Sequence, residues 1–222
     1  MRTGKKIVVT GEVTCDENNS HQEFISSEFI YDTGVSKPTL LLHSCCGPCS
    51  APVIEALIHS HAITVYFYNP NITDREEYEK RALSQKKYIE QINCKIDRPD
   101  TVAFIEGQYE PENFLNEVKG FELEPEGGER CRKCYRMRLE KTAETAKIMG
   151  FDCFAATLGV SPHKNYKTIS EIGRDLCVKY GIGFIDRDYK KGGGYQRSLE
   201  LSKKYSLYRQ DYCGCEFSKG GR

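Results

Sequence analysis

The stretch Leu40-Leu41-Leu42-His43-Ser44-Cys45-Cys46-Gly47-Pro48-Cys49-Ser50, LLLHSCCGPCS, joins two kinds of sequence. Its first half is a short apolar run without alternation. Such a run predicts a strand buried on both faces, as in a parallel sheet. Its second half turns at Gly47-Pro48 into a helix from Ser50 to His59, with Val53, Ile54, Leu57 and Ile58 on one side. In open parallel sheets, ligands lie outside the carboxyl ends of the strands. The strand-to-helix turn therefore places Cys45, Cys46 and Cys49 at a ligand-binding edge.

The same alternation continues outward. Ile63 to Tyr68 reads as a second strand, ended by Asn69-Pro70-Asn71. Asp74 caps the next helix, with Glu77 three residues on as its reciprocal partner. That helix runs to about Ile92, with Tyr78, Leu83, Ile89 and Ile92 on its inner side. Pro111 to Lys119 is a short helix stopped by Gly120, and Glu124 to Glu129 an acidic loop. A long helix follows from about Cys131 to Met149, with Gly150 in the left-handed position after it. Asp152 to Leu158 is a strand, Tyr166 to Tyr180 a helix closed by Gly181, and Gly183 to Asp186 a last strand. This order predicts an α/β fold: one open, doubly wound parallel sheet in a single domain over 38–222, with helical additions. Residues 1–37 read as a partly irregular extension with one short strand, Lys6 to Val9.

The chain has 222 residues and a formal net charge of zero, so nucleic acid must be met by a local basic patch. No apolar run has membrane-spanning length. Ile7-Val8-Val9, after Lys5 and Lys6, is too short for a signal-peptide core. The expectation is a soluble cytoplasmic protein with no membrane partner.

Eleven cysteines are many for this length, and a reducing cytosol disfavours a disulfide framework. Seven form three tight groups: Cys45, Cys46 and Cys49; Cys131 and Cys134; Cys213 and Cys215. Cys153 and Cys177 lie in apolar patterns and read as buried small hydrophobes. Cys131 and Cys134 are three apart at a helix start, so both thiols point the same way, where free N–H groups favour thiolates. Gly214 bends the chain so that Cys213 and Cys215 face one site.

Unrelated thiols are a poor account of such grouping. A thioredoxin-like redox dithiol at Cys46 and Cys49 leaves the other five cysteines idle, and the segment before Leu40 lacks the strand and helix that fold needs. A zinc-binding structural or RNA-binding module uses at most four thiolates per closed site. An iron–sulfur cluster with three or four cysteine ligands, beside a second thiolate-rich metal site, uses all seven.

Four blocks, HSCCGPCSAPV, ERCRKCYRMRLEKTA, FAATLGVSPHKN and DYCGCEFS, in this order, resemble the signature of the QueH family of epoxyqueuosine reductases over about residues 39–218. The resemblance implies a Rossmann-like fold similar to the adenine nucleotide α-hydrolase type. It implies a [4Fe-4S] cluster with an additional iron or other divalent metal ion, held by Cys45, Cys46, Cys49, Cys131, Cys134, Cys213 and Cys215. It also implies two-electron reduction of epoxyqueuosine to queuosine at the tRNA wobble position, without cobalamin, using an external electron donor.

Such a deoxygenation consumes protons, and Tyr135, Asp211 and Tyr212, beside the cysteines, are candidate donors. Arg132, Arg136 and Arg138 flank the second cysteine pair and suit anticodon phosphates or thiolate charge balance. His163 and Lys164, in SPHKN between a strand and a helix, lie where anions bind and are further substrate-binding candidates. No G-x-x-x-x-G-K-S/T or S-G-G-x-D-S loop is present, which argues against ATP use. His43 reads as a packed histidine. From Gly181 onward nine Lys/Arg stand against five Asp/Glu, interleaved with tyrosines, a mixture that suits RNA.

Overall fold

A computed structural model of the chain describes residues 37–94 and 101–219. The expected Lys6–Val9 strand and Cys15 lie outside these residues. The elements are β1 (Thr39–His43), α1 (Gly47–Leu57), β2 (Ala62–Phe67), α2 (Arg75–Asn93), β3 (Ala103–Glu106), α3 (Pro111–Glu117), α4 (Glu129–Ile148), β4 (Cys153–Ala156), α5 (Tyr166–Tyr180), β5 (Gly183–Phe184) and α6 (Gly194–Lys204). Short 3₁₀ turns occupy Thr157–Val160 and Glu216–Ser218. The five strands form one parallel sheet in the order β3-β2-β1-β4-β5. This is the open α/β architecture that the alternation predicts.

The leucine run forms the centre of the sheet because every side chain in it finds an apolar layer. Leu40, Leu41 and Leu42 are all completely buried. Alternate residues of a strand face opposite sides. Leu40 and Leu42 accordingly pack with Val53 and Ile54 of α1, Ile89 of α2 and Leu201 of α6. Leu41 packs with Leu139 and Ala143 of α4 and Ile172 of α5. Each such leucine contributes about 1.5–3 kcal/mol by burial.

Several element ends carry the local chemistry expected of them. Asp74 accepts from the N–H groups of Glu76 and Glu77 at 3.1 and 3.2 Å, capping α2. Glu77 does not reciprocate; its carboxylate pairs with Arg81 at 2.6 Å instead. Gly150 and Gly181 follow α4 and α5 with φ of 74° and 56°.

Two elements escape sequence reading. β3 is an edge strand of four residues with no fully buried side chain, and its apolar run, Val102 to Ile105, is short. α6 buries Gly194, Ser198, Leu201 and Ser202, a stripe with one large apolar side chain, so its overall hydrophobicity is low although its polar and apolar sides are distinct. Leu83, expected inside, is 53% exposed. The buried stripe of α2 runs through Arg81, Ala82, Gln85, Tyr88 and Ile89, which turns position 83 outward.

β1 and β4 are neighbours in the sheet, but their chains continue to opposite sides, β1 towards β2 and β4 towards β5. Strand order reverses there, which opens a crevice at the carboxyl ends. The β1 end carries the three-cysteine turn, and the β4 end leads to His163 and Lys164.

Candidate metal centre

The three-cysteine turn is fixed by buried polar contacts. Ser44 and Ser50 both donate to Oε1 of Gln85 on α2, at 2.8 and 2.7 Å. Asn69, just after β2, donates to the carbonyl of Ser44 at 2.8 Å. Gln210 donates to Cys46 Sγ at 3.1 Å. Cys46 is the N-cap of α1, so Cys45, Cys46 and Cys49 sit at a helix N-terminus that favours thiolates. Their three sulfurs lie within 4.8 Å of one another.

The other two groups meet in a separate space. Cys131 and Cys134 occupy the first turn and a half of α4, and the Gly127 N–H donates to Cys131 Sγ at 3.2 Å. The Cys213-Gly214-Cys215 bend is pinned from α2 and the β2–α2 turn. Arg81 donates to the carbonyls of Tyr212 and Cys213, both at 3.1 Å. The Thr73 N–H donates to the Gly214 carbonyl at 3.3 Å. Gly214 has φ +102°, and a Cβ there would stand 2.7 Å from Ile72 Cγ1. All four of these cysteines line one small cavity, with Tyr135, Arg138 and Lys164 in its wall.

The electrostatics fit metal. Arg138 is 2% exposed and Lys164 is 9% exposed, and among the described residues neither pairs with a carboxylate. A buried cation needs a counter-charge, and the cavity that both line offers four thiols and one carboxylate, Glu126. Arg138 donates to Cys134 Sγ at 3.8 Å and to Asn69 Oδ1 at 2.7 Å. Burial pulls the Lys164 ammonium down, but thiolate charge at Cys45 and Cys49 outweighs it and the pKa rises. Hydrogen bonds from Cys46 and Cys49 hold Cys45 well below the usual thiol range. A hydrogen bond from Cys215, then Lys164 and Ser218, bring Cys213 down to about 5 against the opposing effect of burial. Burial pushes Cys134 up to about 11. One preferred anion in each of two thiol clusters, with buried cations between them, suits a thiolate-held metal centre. A dithiol switch has no use for this second set.

The remaining candidates fall in different surroundings. Tyr135 is buried in the cavity wall, and burial raises its phenol pKa. Asp211 is exposed, while Tyr212 is half-buried with its ring centre 5.4 Å from the Arg81 guanidinium. Arg132 and His163 are exposed. Arg136 pairs with Asp175 of α5 at 2.7 Å. Arg138 lies inside the protein, so its place is with the thiols, not with phosphates at the surface. Burial lowers the His43 pKa to about 3, and its Nε2 lies 3.0 Å from the Tyr68 carbonyl oxygen, the setting of a neutral packed histidine. Cys153 and Cys177 are buried. Along the basic C-terminal segment, Tyr189 is buried and Tyr208 donates to Glu77 at 2.7 Å.

Sequence reasoning passed over Asn69, Arg81, Gln85 and Gln210, and also Asn71, whose side-chain amide donates to the Cys213 carbonyl at 3.3 Å. Asn69-Pro70-Asn71 at a strand end is a signal of turn, and its position at the carboxyl edge is the hint that could have found two of them. Arg81 and Gln85 are polar residues on the helix side that Tyr78, Ile89 and Ile92 mark as inner, and that spacing is the signal that could have found them.

The comparisons with known proteins converge. A family model described as epoxyqueuosine reductase QueH matches residues 40–220. The chain is 44% identical over 182 residues to a protein of Streptococcus pyogenes serotype M1, covering 82% of this chain and 71% of the relative. It is 42% identical over 184 residues to one of Staphylococcus epidermidis, covering 82% and 76%. It is 36% identical over 183 residues to one of Thermotoga maritima, covering 81% and 90%. All three relatives bear the name epoxyqueuosine reductase QueH.

Proposed function

We infer the reaction from one premise: the chain belongs to the epoxyqueuosine reductase QueH family. It is an epoxyqueuosine reductase, an oxidoreductase of queuosine biosynthesis acting on tRNA. The reaction breaks both C–O bonds of an epoxide, forms a C=C bond, and releases the oxygen as water with two electrons and two protons.

The cofactor reading goes further. It assigns a [4Fe-4S] cluster and an additional iron or other divalent metal to Cys45, Cys46, Cys49, Cys131, Cys134, Cys213 and Cys215. The single observation that carries it is the pair of buried cations, Arg138 and Lys164, set among thiols without carboxylate partners. When bound, such a centre stores electrons delivered singly and passes them to the substrate.

The chain's own residues do the rest. Arg138 and Lys164 offset thiolate charge that burial would otherwise oppose. Tyr135 stands in the cavity wall as a candidate proton donor; Asp211, exposed near the Cys213 bend, is the second. Exposed Arg132, with Arg136, His163 and Lys164, forms the candidate substrate-binding set around the crevice. Among the described residues no helix is long and apolar enough to cross a membrane. A cytoplasmic location, an external electron donor and a tRNA with a queuosine-type anticodon complete the reading.

Anaerobic assay of iron-reconstituted protein on tRNA carrying epoxyqueuosine tests it. Conversion to queuosine with a low-potential reductant is expected. Full activity in protein free of iron and labile sulfide would remove the cofactor assignment.

A further inference from the structure

Lys164 is the least committed charged group in the interior. Its backbone is held from both sides: its N–H donates to Ser161 at 3.3 Å, and its carbonyl accepts from Lys190 Nζ at 2.8 Å. Its side chain lines the cavity formed by Cys131, Cys134, Cys213 and Cys215. Yet among the described residues its ammonium donates no hydrogen bond to any oxygen or sulfur, although the residue is 9% exposed. Arg138, the other buried cation, differs, because it spends its donors on Asn69 and Cys134. Lys164 Nζ is not among the fully buried unpaired polar atoms, so its unused N–H donors face space that an acceptor can reach. The thiols account for charge balance at long range, but not for the missing hydrogen bond.

We propose that the missing acceptor is the epoxide oxygen of the substrate, held by Lys164 Nζ at the mouth of the cysteine-lined cavity. The inference rests on the epoxyqueuosine reductase reading. As the two C–O bonds break, negative charge grows on that oxygen, and a fixed ammonium in a water-poor site stabilises it more than it stabilises the neutral epoxide. Two electrons enter from the external one-electron donor that the reductase uses. They break the two C–O bonds with formation of the C=C bond. Two protons, passed on from solvent by the candidate donors Tyr135 and Asp211, convert the oxygen to water. Lys164 is then a catalytic residue, and the cations at the crevice rim serve only to bind tRNA.

The test measures binding without turnover. In the absence of reductant, iron-loaded protein is titrated with tRNA carrying epoxyqueuosine and with the same tRNA carrying queuosine, which lacks the oxygen. Wild type is expected to prefer the epoxide form by about tenfold or more, the size of one hydrogen bond to a charged group. K164M is expected to bind both forms alike, with K164R keeping most of the preference. In turnover, K164M should lose about 10²–10³ in kcat, as when one oxyanion donor is removed. Iron and sulfide are assayed on every preparation. An unchanged preference in K164M, or none in wild type, overturns the proposal. So does a K164M protein that no longer binds iron while K164R does, if its residual iron-loaded fraction keeps the epoxide preference, because that limits the residue to charge balance. Failure of wild type to convert epoxyqueuosine at all would strike the functional reading instead.

Discussion

Arg81 Nη1 donates to the carbonyl oxygen of Cys213 at 3.1 Å, across 132 positions of sequence. The same guanidinium pairs with Glu77 at 2.6 Å and is 1% exposed. One buried side chain of α2 thereby sets where the third cysteine group stands.

Replacing it, as R81M, leaves the Glu77 carboxylate buried with only Tyr208 to hydrogen-bond it. Breaking one partner of a buried pair destabilises by about 3–5 kcal/mol. Urea unfolding should report that loss, and iron content after reconstitution should fall although no cysteine has changed. An R81M protein with wild-type iron content would show that the Cys213 bend holds itself.

G214A attacks the same bend without touching charge. The position has φ +102°, and the added Cβ meets Ile72 at 2.7 Å. Strain of about 1–3 kcal/mol is expected, with lowered iron content. I72A combined with G214A should relieve the contact but not the dihedral, recovering only part of the loss. Complete recovery would place the whole effect in the contact.

Serine substitutions separate a metal centre from a dithiol switch. C134S and C213S should each reduce bound iron and activity, as should C45S. C94S, at an exposed position, should change neither. A protein in which only C46S and C49S abolish activity would behave as a thiol–disulfide enzyme.

Asp186 gives a pH dependence remote from the cysteines. Burial pushes its carboxyl up, but hydrogen bonds from Tyr166, Ser170 and Arg174 prevail and the folded pKa is lowered. A depressed carboxylate stabilises the fold above its unfolded pKa, and that contribution is lost as pH falls through the folded value. D186N should therefore be less stable than wild type at neutral pH. The gap should close as pH drops below about 4, the ordinary Asp value. Chemical unfolding at several pH values checks this; a gap constant down to pH 2 would assign it to packing.

Exposed Arg132 offers a test of the RNA surface. If it meets phosphate, R132E should weaken tRNA binding and reduce the slope of log K against log salt by about 0.7–0.9 per lost contact. Iron content should stay unchanged. An unaltered slope would exclude Arg132 from the interface.

The sequence carried the centre of the sheet in Leu40-Leu41-Leu42, because an uninterrupted apolar run is stable only between two covering layers. It carried the three cysteine groups through their spacing, and the helix ends through Asp74, Gly150 and Gly181, since those are local properties of the chain. It did not carry β3 or α6, whose few apolar residues give a weak signal and whose burial depends on neighbours. Nor did it carry the roles of Arg81, Gln85, Arg138 and Lys164. On paper these are polar residues of helices and loops. Only the packing of α2, α4 and the β4–α5 loop around one sheet edge removes them from water. Once they are buried, each needs a partner, and the need for partners is what assembles the thiols at one end of the sheet.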